Sequence, residues 1–321
     1  MELVASSLDM ILADLYQSLL NDSERNEASR GGTLEKLGVT LRIRKPRARL
    51  SRSEDRGRPF SALGELLWYL SGSDSLEFIR EYIPAYEKEA EEDGTLYGAY
   101  GPRLLAMRGG INQIQNVVAL LKERPGSRRA VIQLFNAEDI DRHRKEVPCT
   151  TTFQFFVRAD RLHMAVTMRS NDAYTGLPHD VFCFTMIQEM VARALGVGLG
   201  EYIHFVGSMH LYESDVDKAK GYSEEGYQRV VEMPPMPPGD PFPIVGKLVE
   251  IESRLRRGEE LIAERAVRSE YWADIVRLFQ VYWASGQPEK IDKIANEFSN
   301  KHYRAYAEGR KRASKRNYVT Y

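Results

Sequence analysis

The sequence predicts an α+β protein whose helices flank a sheet and whose C-terminal part is helical. Three observations lead there. Strand patterns and amphipathic-helix patterns are interspersed up to about Met233. Two strand-forming runs, TTFQFFV and LHMAVTMR, are separated only by the polar link RADR, which predicts a hairpin. From Val245 to about Arg316 the pattern becomes charged and helical throughout.

The elements follow in order. Leu12, Leu15 and Leu19 recur at helical spacing, so the first 20 residues read as an amphipathic helix. NDSERNEASRGGT reads as a polar loop and LGVTLRIR as a strand. SALGELLWYLSGSDSLEFIREYI reads as helix, break, helix, with Leu63, Leu66, Leu67 and Leu70 on one face. INQIQNVVALLKERPG is a helix stopped by Pro125 and Gly126, and RRAVIQLFN is a strand. After the hairpin, HDVFCFTMIQEMVARALG is a long helix ending at Gly196, and EYIHFVGSMHLY is a further strand. MPPMPPGDPFP reads as an extended surface crossing. The basic run GRKRASKR reads as a solvated helix end. The expected division is a catalytic domain over 1–240 and a helical extension over 241–321 packed on it.

Bulk properties exclude several classes. The 321 residues are 43% hydrophobic and 28% charged, with a formal net charge of -1, an ordinary globular composition. Such a charge gives no electrostatic footprint for nucleic acid or an anionic membrane. No apolar run is long enough to span a bilayer. Glu2, Asp9 and Asp14 interrupt the N-terminus, which therefore does not read as a secretory signal. Two cysteines make no disulfide framework, so the expected compartment is the reducing cytoplasm.

Cys149 raises the question of chemistry. A cysteine is usually a small, buried, inert group, and Cys183, inside an apolar helix pattern, reads that way. Cys149 instead follows Pro148 at the start of a strand, with Thr150 to Thr152 after it. A thiolate needs a nearby cation, and Arg169 on the neighbouring strand is a candidate. From the residues alone, nucleophile and inert thiol both stay open.

The stretches VPCTTTFQFFV and MRSNDAYTGLPHDVFCFTMIQEMVARALGVGLGEYIHFVGSMHLY resemble the thymidylate synthase family, as do GELLWYLSG, YGAYGPRL and SRRAVIQLFN. The blocks keep the family's order from about Arg30 to about Tyr212. The resemblance implies a thymidylate-synthase-type fold with a large mixed sheet, a homodimer formed through that sheet, and 5,10-methylenetetrahydrofolate as co-substrate, with no metal. It implies Cys149 as the nucleophile toward C6 of a pyrimidine nucleotide. Glu65 would organise water and protons, and Tyr100 would support proton removal at C5. Arg169, Ser170 and Arg30 would hold the phosphate, together with Arg128 and Arg129 reaching across the dimer interface. His210 and Tyr212 would hold the sugar, and Asp172, Tyr86 and Glu65 would face the folate.

One departure concerns the base. The family's methylating synthases place an asparagine after the VPF turn, and it reads uracil. Here the turn is LPHD, so Asp180 stands there. An ionised carboxylate only accepts, which suits the cytosine amino group and repels O4 of uracil. The bland account is that Asp180 caps a helix starting at Val181, but aspartate and asparagine cap equally well. Two further departures, Tyr86 where synthases have tryptophan and Thr150 where they often have histidine, point away from hydride transfer. The synthases also end in a short tail that closes over the folate, whereas this chain carries a long helical region ending NYVTY. The expectation is a hydroxymethyltransferase acting on CMP or dCMP. The alternatives are a methylating thymidylate or uridylate synthase, and an idle nucleotide-binding protein.

Overall fold

The structure, a computed structural model, describes residues 1–28, 31–51, 59–226 and 229–319. A short strand, β1 (Glu2–Ala5), precedes the first helix, α1 (Leu8–Asn21). The helix therefore starts later than its leucine spacing alone suggested. Ser7 sets the start, because its hydroxyl accepts from the Met10 amide at 3.3 Å. The polar stretch expected as a loop contains β2 (Glu24–Ala28), paired antiparallel with the beginning of β3 (Gly31–Ile43). Glu24 to Glu27 are exposed, so this edge strand carries no apolar alternation by which to be read.

Next come α2 (Pro59–Ser71), α3 (Leu76–Ile79), a 3-10 turn at Pro84–Lys88, α4 (Tyr100–Leu105) and α5 (Gln113–Glu123). They lead into β4 (Val131–Gln133) and the expected hairpin of β5 (Thr150–Arg158) and β6 (Arg161–Asp172). Its two-residue turn sets Ala159 and Asp160 at φ 47° and 56°, the twist that a tight hairpin needs. Helix α6 (Gly176–Leu195) ends at Gly196, whose φ of 71° suits glycine. The last strand is β7 (Gly198–Tyr212), followed by α7 (Val216–Glu224).

Among the described residues the strands form one sheet in the order β1-β3-β7-β6-β5-β4, with β2 also on β3. It is mixed: β6 and β7 run parallel, while β3 and β7, and β5 and β6, run antiparallel. This is the large mixed sheet with flanking helices that the resemblance implied. One face carries Phe153, Phe155, Met164 and Val166 into a core closed by α2 and α6. Gly207 lies where β7 passes Arg169 of β6. A Cβ there would stand 2.9 Å from the Arg169 carbonyl oxygen, so glycine permits this close approach.

The proline-rich stretch is extended, with Pro235, Pro238, Gly239, Asp240 and Pro243 exposed, but it does not merely cross the surface. Met233 and Met236 are buried, and their amides donate to the Arg47 carbonyl at 2.8 Å and to Glu189 Oε1 at 2.9 Å. The flanking prolines have no N–H to satisfy, so these amides and thioethers pin the segment. Then follow α8 (Ile244–Arg256), α9 (Ala263–Ala266), α10 (Glu270–Trp283), α11 (Pro288–Glu297) and α12 (Tyr303–Lys311). Helix α10 is buried on nearly every side, and both α8 and α10 lie against α2. The basic run is only partly solvated. Arg310 and Arg316 lie over the Tyr282 ring, at 5.0 and 3.9 Å from its centroid. Among the described residues no helix is long and apolar enough to cross a membrane.

Candidate active site

A cleft of about 520 Å³ opens where the end of β6 and β7 meets the start of β5, α2 and α6. Its lining includes Cys149, Glu65, Tyr100, Arg169, Ser170, Asp180, His210, Tyr212, Asp172 and Tyr86. Residues far apart in sequence thus converge. Arg128 and Arg129 do not line it; both are exposed beside β4. Arg30 lies outside the described residues.

Cys149 sits one residue before β5. The register of β5 against β6 shifts between Thr150 and Thr152, a bulge of the kind that re-aims a neighbouring side chain. The backbone there is tied down. The Arg169 amide donates to the Cys149 carbonyl at 2.8 Å, and the Thr150 amide donates to the Tyr100 hydroxyl oxygen at 3.1 Å. The Arg169 guanidinium donates to the carbonyls of Pro148 and Val147 at 3.0 and 3.1 Å, and its Nη2 lies 3.5 Å from Cys149 Sγ. A cation at that range favours a thiolate. Cys183 contrasts with it: fully buried in α6, it donates to the Ala62 carbonyl at 3.3 Å, and burial pushes its thiol up.

The Tyr100 hydroxyl accepts from both the amide and the Oγ1 of Thr150, at 3.1 and 2.9 Å. Burial, then the neighbouring Cys149 and Asp180, hold it well above the usual tyrosine range. It therefore keeps its proton.

Glu65 projects from α2 and is buried. Its Oε1 accepts from Tyr69 and Tyr86 at 2.8 and 2.9 Å, and its Oε2 lies 2.9 Å from His179 Nδ1. His179 Nε2 in turn lies 3.0 Å from Ser61 Oγ. Burial alone would raise the Glu65 carboxyl, but His179 and the two tyrosines outweigh it and hold the group below its ordinary value. The sequence reading did not single out Tyr69 or His179. Their signals were present: Tyr69 is one turn after Glu65, and His179 is in the LPHD turn.

Asp180 does not cap a helix start. Helix α6 begins at Gly176, so Asp180 lies in its second turn, and the capping account falls away. Its Oδ2 accepts from Asn171 Nδ2 at 2.8 Å. Burial, then the nearby Glu65 charge, raise its carboxyl well above the usual range despite that bond. Behind Asn171 runs a buried chain that sequence reasoning missed. Asn171 Oδ1 lies 3.0 Å from His204 Nε2, and His204 Nδ1 lies 2.7 Å from the Tyr202 hydroxyl. His204 is fully buried, and burial lowers it to about 3, so the ring is neutral. With its amide nitrogen turned to Asp180, Asn171 offers its oxygen to His204. The network thereby assigns the proton to Nε2, and Tyr202 donates to Nδ1. Strand alternation in β7 could have revealed this inward-facing histidine.

At the other end, the His210 and Tyr212 rings meet edge to face at 5.1 Å. Asp172 Oδ1 accepts from the Tyr174 amide at 2.9 Å, and burial raises its carboxyl. Arg144 and Lys145 add positive charge to the lining.

The arrangement can bind an anion beside Arg169 and add a thiolate to an electrophilic carbon. It can also move protons through Glu65 and Tyr100, and read a polar ring edge with Asp180. The family model described as thymidylate synthase matches residues 13–233. That match covers more than half of the chain and leaves α8 to α12 beyond it; the chain belongs to the thymidylate synthase family.

Proposed function

We propose that this enzyme is a cytidylate 5-hydroxymethyltransferase acting on CMP or dCMP. Members of its family transfer a one-carbon unit from methylenetetrahydrofolate to a pyrimidine nucleotide. The observation that carries the finer reading is the Asp180 carboxyl in the cleft lining, steered by Asn171. Cytosine presents an amino donor at C4 and a basic N3. One proton shared between N3 and the carboxyl gives two hydrogen bonds. Uracil O4 is a far weaker base than cytosine N3, so a uracil–carboxyl pair sheds its proton at lower pH. The bare carboxylate then faces O4. Cytosine preference is therefore expected to weaken as the pH falls.

In this reading Cys149 adds to C6 of the ring, and the electron pair moved onto C5 makes that carbon nucleophilic. Methylenetetrahydrofolate, when bound, supplies the one-carbon unit. The cleft suits it on the side of Glu65 and Tyr86, where the apolar Ile83 and Ala85 also belong to the lining. Tyr100 steadies the proton leaving C5, and Glu65 directs water onto the methylene group left on C5 once tetrahydrofolate departs. Cys149 is then released from C6 as the ring double bond re-forms. Arg169 and Ser170 take the phosphate, and His210 and Tyr212 take the sugar.

The direct test is chromatography of the products from CMP, dCMP, UMP and dUMP with methylenetetrahydrofolate. The expected product is 5-hydroxymethylcytidylate; a 5-methyl uracil nucleotide as the main product would overturn the reading. Arg128 and Arg129, absent from the cleft of their own chain, are proposed to serve a partner's site in a homodimer. Mixing an Arg128→Ala/Arg129→Ala chain with a Cys149→Ala chain should restore activity, because one site of the heterodimer then escapes both lesions. Verified heterodimers that stay inactive would show that each chain binds phosphate alone.

A further inference from the structure

We propose that the C-terminal helices, which lie beyond the family match, act as a fixed brace for one wall of the cleft. They hold the Glu81–Tyr86 segment against α2, so that Tyr86 is kept on Glu65. The inference rests on reading that wall as the co-substrate side of the site.

The segment has two sides. On the inner side, Ile83, Ala85 and Tyr86 line the cleft, and the Tyr86 hydroxyl donates to Glu65 Oε1 at 2.9 Å. On the outer side, its contacts come from the extension. The Glu81 carbonyl accepts from the Tyr282 hydroxyl at 2.5 Å and from Arg316 Nη1 at 2.7 Å. The buried Tyr82 ring stacks on Tyr282 at 4.7 Å, and its hydroxyl donates to Glu252 Oε1 at 2.7 Å. Trp283 Nε1 donates back to that hydroxyl at 3.3 Å.

Tyr82 also ties the brace to the chemistry. A Cβ on Gly64 would stand 2.2 Å from the Tyr82 ring, so the ring rests on the α2 backbone one residue before Glu65. Of the described residues near the end of the chain, Tyr318 and Val319 do not line the cleft. The Val319 amide donates to the Arg256 carbonyl at 2.9 Å, and the Tyr318 ring covers Gly258. A tail held there serves as an anchor, and Arg316 is its grip on Glu81.

The test is a Tyr282→Phe/Arg316→Ala enzyme, which removes both bonds to the Glu81 carbonyl and keeps the Tyr82 ring stack. Amide hydrogen exchange should accelerate about tenfold between Tyr82 and Ala90, with β5 to β7 unchanged. The KM for methylenetetrahydrofolate should rise about tenfold, with nucleotide Kd unchanged and kcat within about threefold. Arg316→Lys, which keeps a donor, should fall between. Unchanged exchange in the segment, acceleration spread evenly over the protein, or a changed nucleotide Kd with an unchanged folate KM would each overturn the proposal. The assay uses whichever nucleotide the enzyme turns over. Failure of the cytidylate reading would therefore appear as a different nucleotide with the same folate effect.

Discussion

Cys149→Ala is expected to lower turnover by about 10⁴-fold or more, while nucleotide still binds. No other thiol can substitute. Cys183 is sealed inside α6, and its thiol donates to the Ala62 carbonyl. The binding half of the prediction follows from what the substitution leaves intact. Arg169 touches the sulfur, but its guanidinium is also held by the carbonyls of Pro148 and Val147. It should stay in place when the sulfur is gone, keeping nucleotide Kd within about threefold of the parent. Cys183→Ala should keep its activity per folded molecule and lose about 1–2 kcal/mol of stability, the cost of a small buried cavity. Isothermal calorimetry with single-turnover kinetics measures the first pair of effects, and thermal melts the second. Substantial turnover by Cys149→Ala would remove covalent catalysis at this position.

The positions of these groups were legible in the sequence to different depths, for physical reasons. Strand and helix periodicity located the hairpin and α6, because alternation and 3.6-residue spacing are written in the side chains that face the core. Strand β2 was hidden because Glu24 to Glu27 face solvent and need no apolar pattern. The buried methionines of the proline-rich stretch were hidden because the prolines around them dominate any local reading. At the site, the motif blocks pointed to Cys149, Glu65, Tyr100, Arg169 and Asp180, which line the cleft, and also to Arg128 and Arg129, which do not. What they could not give is the support behind them. Glu65 is held by Tyr69, Tyr86 and His179 from three separate places in the chain. Asp180 is steered by Asn171, which is itself fixed by His204 on another strand. Tyr69 lies one turn from Glu65 on α2 and was open to a local reading. The pairing of Glu65 with His179, and of Asn171 with His204, is instead set by packing between elements. The helix-cap account of Asp180 failed similarly. Gly176 and Pro178 look like turn residues in sequence, yet they form the first turn of α6.

Asp180→Asn should lower the cytosine-over-uracil ratio of kcat/KM by at least about tenfold, since each hydrogen bond exchanged is worth roughly 1–3 kcal/mol. The network behind the residue determines which way the new amide points. Neutral, buried His204 donates to Asn171 Oδ1, so Asn171 presents its amide nitrogen to position 180. The introduced amide must answer with its oxygen, which turns its own nitrogen toward the base. That nitrogen donates to uracil O4 and opposes the cytosine amino group. The product from uracil should still be hydroxymethyl, because position 180 reads the base and supplies no hydride. The same substitution should stabilise the unliganded protein at neutral pH. The folded-state pKa of Asp180 is raised by burial, so the ionised group costs stability once the pH exceeds its unfolded value of about 3.9. Removing the charge should raise Tm at pH 7. The gain should shrink as the pH falls through the folded pKa and vanish below the unfolded one. Melts across that range, beside kinetics on both nucleotides, separate two claims. A higher Tm with an unchanged base preference would leave Asp180 in the cleft lining but silent in recognition, and the cytidylate assignment would lose its main support.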